Sequence, residues 1–331
     1  MNERTEFNPD EIIFAVTDVC NLKCAHCFVE RKGLKLDIEK AKNLIDSCLK
    51  SCPETEWKVG FSGGEPFLNL DFLCEISKFC VEKGIVFDRI MTNALWWKYE
   101  NELEEKLTRL FESGYDGKIG ISFDSFHGGD FRYIAKFCRA VFEIWKNSSM
   151  IEIQTTYSTQ KHSLHTLKKQ KKILQLLAWE LGSKKFNSKN GGKNNYIEGK
   201  FDSSDFFIRV SFNRQVFASD SPFAWKDKKW FKEDFCQTTG NIFYVHTDGK
   251  IAPCCGYANE NKEFFIGTID DEYNTLMENA KSNKITRLCY GQGLEHFRKT
   301  TEKSGYKFPG KTSDICLFCD YICKNKNLFK S

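Results

Sequence analysis

Apolar and polar positions follow two alternating rhythms from the start of the chain to about residue 215. Short runs rich in β-branched and aromatic residues read as strands: Glu11–Thr17, Glu56–Ser62, Val86–Thr92, Lys118–Asp124, Ile151–Tyr157 and Phe206–Phe212. Between them the apolar positions switch to helical spacing. In Asp37–Cys52 they fall at Ile38, Ala41, Leu44, Ile45, Cys48 and Leu49, and Asp37 offers an N-cap. Leu70–Val81, Glu100–Phe111, Phe131–Trp145 and Leu164–Leu181 repeat the pattern. Strand and helix alternating in this way predict a parallel sheet with right-handed crossovers. Six such units fall short of the eight that close a TIM barrel, so the expected fold class is α/β, a partial (β/α)6 TIM-like barrel.

The rhythm breaks at a polar loop over Ser183–Lys193 and again after Phe212. From about Lys226 a hairpin is expected over Gly240–Pro253, turning at Asp248-Gly249, then helices and a cysteine-rich tail. This predicts a barrel domain over residues 10–225 and a small C-terminal domain over 226–331, with no internal repeat.

Composition narrows the function. The 331 residues are 41% hydrophobic, enough for a sizeable core, and the net charge of +4 is far from the basic excess of a dedicated nucleic-acid binder. No run of 18 apolar residues suggests a membrane span, and the first residues lack a secretory signal, so a cytoplasmic protein is expected. In that compartment 15 cysteines do not form a disulfide framework. They are core filler, metal ligands or reactants. Charge is uneven: Lys161–Lys200 holds ten Lys and two Glu, either a solvated face or a docking surface for an acidic partner.

The strongest chemical signal is Cys20-Asn-Leu-Lys-Cys24-Ala-His-Cys27, directly after the first strand. Three thiols at this spacing can converge on one small volume, and His26 and Lys23 interrupt any apolar face that would bury them as filler. Zinc sites usually pair CxxC knuckles to reach four ligands. Three thiolates with no fourth nearby suit a 4Fe–4S cluster with one iron left open.

With Ser62-Gly63-Gly64-Glu65-Pro66 ending the second strand, the chain resembles the radical SAM superfamily, whose signatures are CxxxCxxC and GGEP. Both motifs sit at C-terminal strand ends, where barrel active sites are built. The resemblance implies that Cys20, Cys24 and Cys27 hold the cluster. Gly63, Gly64 and Glu65 would then receive the ammonium of S-adenosyl-L-methionine (SAM). Thr92, Asn93, Ser122 and Asp124, at the ends of the third and fourth strands, would approach its methionine and ribose. His26 stands where relatives place an aromatic residue against the adenine. The implied chemistry is reductive cleavage of SAM to a 5′-deoxyadenosyl radical that abstracts a substrate hydrogen, fed by a low-potential donor such as flavodoxin or ferredoxin.

A second cysteine set begins with Cys236, twelve residues, Gly249, four residues and Cys254, and ends with Cys316, Cys319 and Cys323. It resembles the SPASM and twitch auxiliary-cluster domains, in the shorter twitch form. That implies a second 4Fe–4S cluster held by Cys236, Cys254, Cys316 and Cys319, with Cys323 able to replace one of the last pair. Four cysteines in two pairs also suit structural zinc. Cys48, Cys74, Cys80 and Cys138 fall on apolar helix faces and read as core, while Cys289 takes no role.

Cys255 adjoins a predicted ligand. The ISFDSFH stretch, the DGKIAPCC hairpin and the DICLFC tail resemble the radical SAM peptide epimerases of ribosomal peptide pathways, in which the second cysteine of that pair returns a hydrogen atom to the substrate radical. The implied substrate is a peptide. Only about ten residues precede the first strand, so such a peptide is expected at the barrel mouth and along Lys161–Lys200 rather than on an N-terminal recognition domain. Aminoglycoside dehydrogenases with a twitch domain share the cysteine spacing. They keep a small-molecule substrate, and oxidation or crosslinking with the auxiliary cluster as electron acceptor, open as alternatives. A zinc or iron–sulfur protein that binds partners without catalysis is the alternative of another class.

Overall fold

The computed structural model describes residues 6–160, 162–188, 195–201, 204–236 and 240–329. The chain gathers into two compact units. One comprises Ala15–Ile38 and Val59–Gln215, the other Met1–Phe14, Glu39–Lys58 and Val216–Ser331. The chain passes from one to the other within β1 (Glu11–Ala15) and near the start of α1 (Ile38–Ser51).

The first unit holds the predicted alternation: β2 (Lys58–Ser62), α2 (Leu70–Lys83), β3 (Val86–Thr92), α3 (Glu100–Glu112), β4 (Lys118–Ser122), α4 (Phe131–Trp145), β5 (Ile151–Tyr157) and α5 (Leu167–Glu180). Three further strands follow it: β6 (Phe186–Ser188), β7 (Asn195–Phe201) and the longer β8 (Ser204–Arg214). The sheet order is β2-β3-β4-β5-β8-β7-β6. β3, β4, β5 and β8 pair in parallel, from Arg89↔Lys118 through Ile119↔Ile151 to Glu152↔Arg209. β7 and β6 add an antiparallel edge. The unit is therefore the mixed α/β partial barrel that the patterning implied.

Local chemistry sets the boundaries. α4 starts at Asp130, whose carboxylate accepts from the Arg132 N–H, and ends at Lys146, in the left-handed region at φ 50°. Its buried face includes Ile134, Cys138, Val141 and Phe142. The core between sheet and helices is filled by Phe61, Phe67, Phe72, Ile90, Ile119, Phe123 and Ile153. Each side chain so buried contributes about 1.5–3 kcal/mol. Cys74, Cys80 and Cys138 are buried among them as small apolar residues.

One difference from the expectation lies past α5. Part of the stretch read as a polar loop, Phe186–Ser188, is a strand, and residues 189–194 lie outside the described residues. Within the basic stretch, Lys168, Lys169, Lys172, Lys184 and Lys185 are exposed, while Lys161, Lys189 and Lys193 lie outside the described residues.

In the second unit, β9 (Gly240–Val245) and β10 (Lys250–Cys254) form the predicted hairpin, with Gly249 at φ 82° in the turn. β11 (Gly267–Thr268) extends it, and β9 runs parallel to β1, Ile12 opposite Phe243. Helices α6 (Tyr273–Ser282), α7 (Lys284–Arg287), α8 (Leu294–Lys303) and α9 (Ile315–Lys324) follow. Trp57, Phe243 and Tyr273 join β9 to the segment after α1, and the Tyr273 N–H donates to Ser47 Oγ at 2.9 Å. Cys48 is buried here.

Candidate functional site

Past β1 the chain leaves the sheet for a loop whose base is closed by Asp18. This buried carboxylate accepts from the backbone N–H groups of Lys32 at 3.0 Å, Gly33 at 2.9 Å and Leu34 at 2.9 Å. Thr17 bridges to Lys35 beside it. The loop so pinned carries Cys20 and Cys24, half-buried, and Cys27, exposed, none of them in a disulfide. Cys20 Sγ is approached by the Leu22 N–H at 3.4 Å and by Asn93 Nδ2 at 3.7 Å. Burial pushes its thiol above the ordinary value. Three thiols on one loop, with N–H donors aimed at one of them, form a donor set fit for thiolate–iron ligation.

The two glycines lie against the root of this loop. A Cβ on Gly64 would stand 2.3 Å from the Val19 carbonyl oxygen, and one on Gly63 would stand 2.5 Å from that of Thr17. Gly64 N–H donates to Thr17 O at 2.6 Å and Glu65 N–H to Val19 O at 2.8 Å. Close backbone approach is thus one reason for glycine at both positions.

Glu65 is buried completely. It accepts from Thr92 Oγ1 at 2.8 Å, the Phe67 N–H at 3.2 Å and the Asn93 N–H at 2.8 Å. Burial pushes its carboxyl up to about 7, against the pull of those three donors. Asn93 Nδ2 also donates to Asn21 Oδ1 at 2.8 Å, and Asn21 reaches the Leu95 carbonyl. Glu65, Thr92, Asn93 and Cys20 therefore form one connected group.

A second group stands beyond β4. Asp124 accepts from the Phe126 and His127 N–H groups, from His127 Nδ1 at 2.8 Å and from the Thr156 N–H at 3.0 Å. Burial alone would raise its carboxyl, but these donors and the His127 charge hold it below the ordinary range. For His127 burial opposes the charge, yet bonds to Asp124 and Cys24 outweigh it and raise the imidazole to about 10. The His26 ring meets Phe126 edge-on at 4.7 Å and His127 at 5.0 Å, and Phe126 stacks on His165 at 3.8 Å. Burial holds His26 below the usual imidazole value. Ser122 is half-buried in β4, opposite Gln154. Among the described residues, His26, Asp124 and His127 are the one set of three potential ligands with donor atoms all within 4.8 Å; no three cysteines are gathered so tightly.

Sequence reasoning missed Asp18, Asn21 and His127. His127 carried a local signal, lying three residues after Asp124 in the same stretch. Asp18 had none, because its partners are backbone groups 14 to 16 residues away.

Thiols of the second cysteine set meet within the second unit. Burial, reinforced by Cys236, Cys316 and Cys255, pushes Cys254 well above the ordinary thiol value. Cys316 and Cys319 ride on the first turns of α9, whose cap Asp314 accepts from the Cys316 and Leu317 N–H groups. Cys323 is buried one turn further on, and Cys255 is half-exposed. Cys289 lies beside Cys319, which the spacing gave no reason to expect.

The family model for the radical SAM superfamily matches residues 14–146, the span from β1 through α4. The match covers 133 of the 331 residues. An uncharacterized protein of Methanocaldococcus jannaschii is 34% identical over 124 residues, 36% of this chain and 40% of that one. A GTP 3',8-cyclase of Listeria welshimeri is 32% identical over 130 residues, 38% of this chain and 37% of that one. This chain thus spans 40% or less of the length of these two curated relatives. In fold, it is similar to native anSMEcpe with bound AdoMet, at a TM-score of 0.52 and 16% identity over 97% of this chain and 98% of that one.

Proposed function

We propose that this chain is a radical SAM enzyme that abstracts the Cα hydrogen of a ribosomally made peptide and returns a hydrogen from Cys255, epimerising the residue. The observation that carries the reading is the connected group at the strand ends, in which Glu65 and Asn93 tie the glycine turn to the Cys20 sulfur. In this reading Cys20, Cys24 and Cys27 hold a 4Fe–4S cluster with one open iron. SAM lies among Gly63, Gly64, Glu65, Thr92, Asn93, Ser122 and Asp124, with His26 on the adenine side. Bound there, the cluster and SAM supply a hydrogen-abstracting radical.

The chain's own residues do the positioning. Glu65 works from behind, fixing Thr92 and the Asn93 backbone. Asp124 fixes the turn that carries His127. Asp18 keeps the thiol loop closed. Cys236, Cys254, Cys316 and Cys319 hold an auxiliary 4Fe–4S cluster within a domain over residues 226–331, with Cys323 as the substitute for one of the last pair. A low-potential donor such as flavodoxin or ferredoxin delivers the electrons, one of which, with a solvent proton, restores the Cys255 thiol after it has given up its hydrogen, and the exposed lysines of α5 meet acidic side chains of the peptide.

The test is mass spectrometry of candidate peptides incubated anaerobically with reconstituted enzyme, SAM and reductant in heavy water. A gain of about one mass unit per modified residue, lost in Cys255→Ala, is expected for hydrogen return from an exchangeable thiol. A loss of about two units would replace epimerisation by oxidation or crosslinking, the reading that a second buried thiol group favours if it accepts electrons. A colourless protein with zinc and no iron would sink both.

A further inference from the structure

Cys289 lies on a π-helical turn, Leu288–Gln292, that directly precedes α8. Such turns insert an extra residue into a helix and recur at functional sites. Here the turn carries the Cys289 sulfur to 3.8 Å from that of Cys319, and both side chains are buried.

The surrounding backbone is tied to the thiol group on both sides. The Cys289 carbonyl accepts from the Cys236 N–H at 3.2 Å. The next residue, Tyr290, accepts from the Asn241 N–H at 3.0 Å and donates to the Pro253 carbonyl at 2.8 Å. Gly240 makes room for this hydroxyl, since a Cβ there would stand 1.9 Å from it. The segment is thereby fastened to Cys236 and to the strand ending in Cys254. A thiol acting only as core filler needs no such fastening.

We infer that the Cys289 thiol donates its S–H to the Cys319 sulfur and acts as a positioning residue that tunes the second iron–sulfur centre without ligating it. The inference rests on the ligand set proposed above. A 4Fe–4S cluster would take four protein thiolates, and the set proposed above already supplies four, which leaves Cys289 as a donor to the sulfur it touches. Cys319 is the ligand in the proposed set, one helical turn from Cys316. A donor to a coordinated thiolate favours the extra electron of the reduced cluster and raises its potential.

The experiment uses the full chain with Cys20, Cys24 and Cys27 changed to Ala, so that only the second centre holds iron. It is reconstituted anaerobically, assayed for iron and titrated by EPR with Cys289 intact, as Cys289→Ala and as Cys289→Ser. Iron is expected at about four per chain in all three. In Cys289→Ala the ratio of reduced to oxidised cluster at a fixed poise falls about three- to tenfold, roughly 30–59 mV for a one-electron couple. Cys289→Ser keeps a donor and recovers most of that shift. Loss of iron in Cys289→Ala would make Cys289 a ligand and overturn the inference, and an unmoved potential would reduce it to filler. A parent variant that holds no iron would fail the ligand set itself, before Cys289 is compared.

Discussion

A carboxyl group without exposure keeps its charge only as far as its donors offset the lost solvation. Glu65 has three donors and still stands at about 7 when folded, against an ordinary 4.5. The folded protein thus holds this proton more tightly than the unfolded chain. The stabilisation is full below about pH 4.5 and is lost as pH rises through about 7. At about 1.4 kcal/mol per pH unit the swing reaches up to about 3 kcal/mol. Urea unfolding across that window should show Glu65→Gln gaining on the wild type as pH rises, with a constant gap above it. Parallel curves would mean that Glu65 is not buried as described. Gly64→Ala tests the neighbouring contact. Its Cβ meets two backbone carbonyl oxygens, at 2.3 and 2.7 Å, which cannot rotate away. A loss of about 1–3 kcal/mol is expected from overpacking, with thermal melting as the check. The glycine turn and the three-cysteine loop were legible because each is contiguous in sequence. The groups that hold them were not, since Glu65 meets Thr92 and Asn93 from positions 27 and 28 residues away.

At the scale of the element, the thiol loop is a strap fastened by one side chain. Asp18→Ala deprives three backbone N–H groups of their acceptor. Because water can reach part of the loop, the expected cost is about 2 kcal/mol rather than the sum of three buried losses. The stronger effect is on loading: with both centres reconstituted, iron falls from about eight toward about four per chain. Unchanged iron would show that the clamp is dispensable. The helices were readable because each has one buried face and so one periodicity, and the barrel strands because they are short apolar runs buried on both faces. The β6–β7 edge was not: β6 spans three residues, and a run of Lys, Asn and Gly follows it. The π-turn carrying Cys289 was invisible for a related reason. Its geometry is set by Tyr290 bonding to the hairpin, a contact with no local trace.

The second unit is assembled from three separate stretches of chain. All of β1 but Ala15 belongs to the first of them, and β1 takes β9 as its parallel neighbour, with Ile12 opposite Phe243. This feature governs how the protein can be made. When the ribosome has finished β1, its partner is still some 230 residues from being synthesised. At about 5–20 residues per second that is roughly 10–50 s of waiting for a strand with one unpaired edge. A chain cut after residue 225 never ends the wait, and it should collect in the insoluble fraction unless a chaperone or a C-terminal fragment supplied in trans covers β1. Recovery of that truncated chain as a soluble monomer by gel filtration would show the edge to be harmless. Nascent chains stalled early would be the first clients of the cell's folding machinery, and slow codons after the barrel would lengthen their exposure.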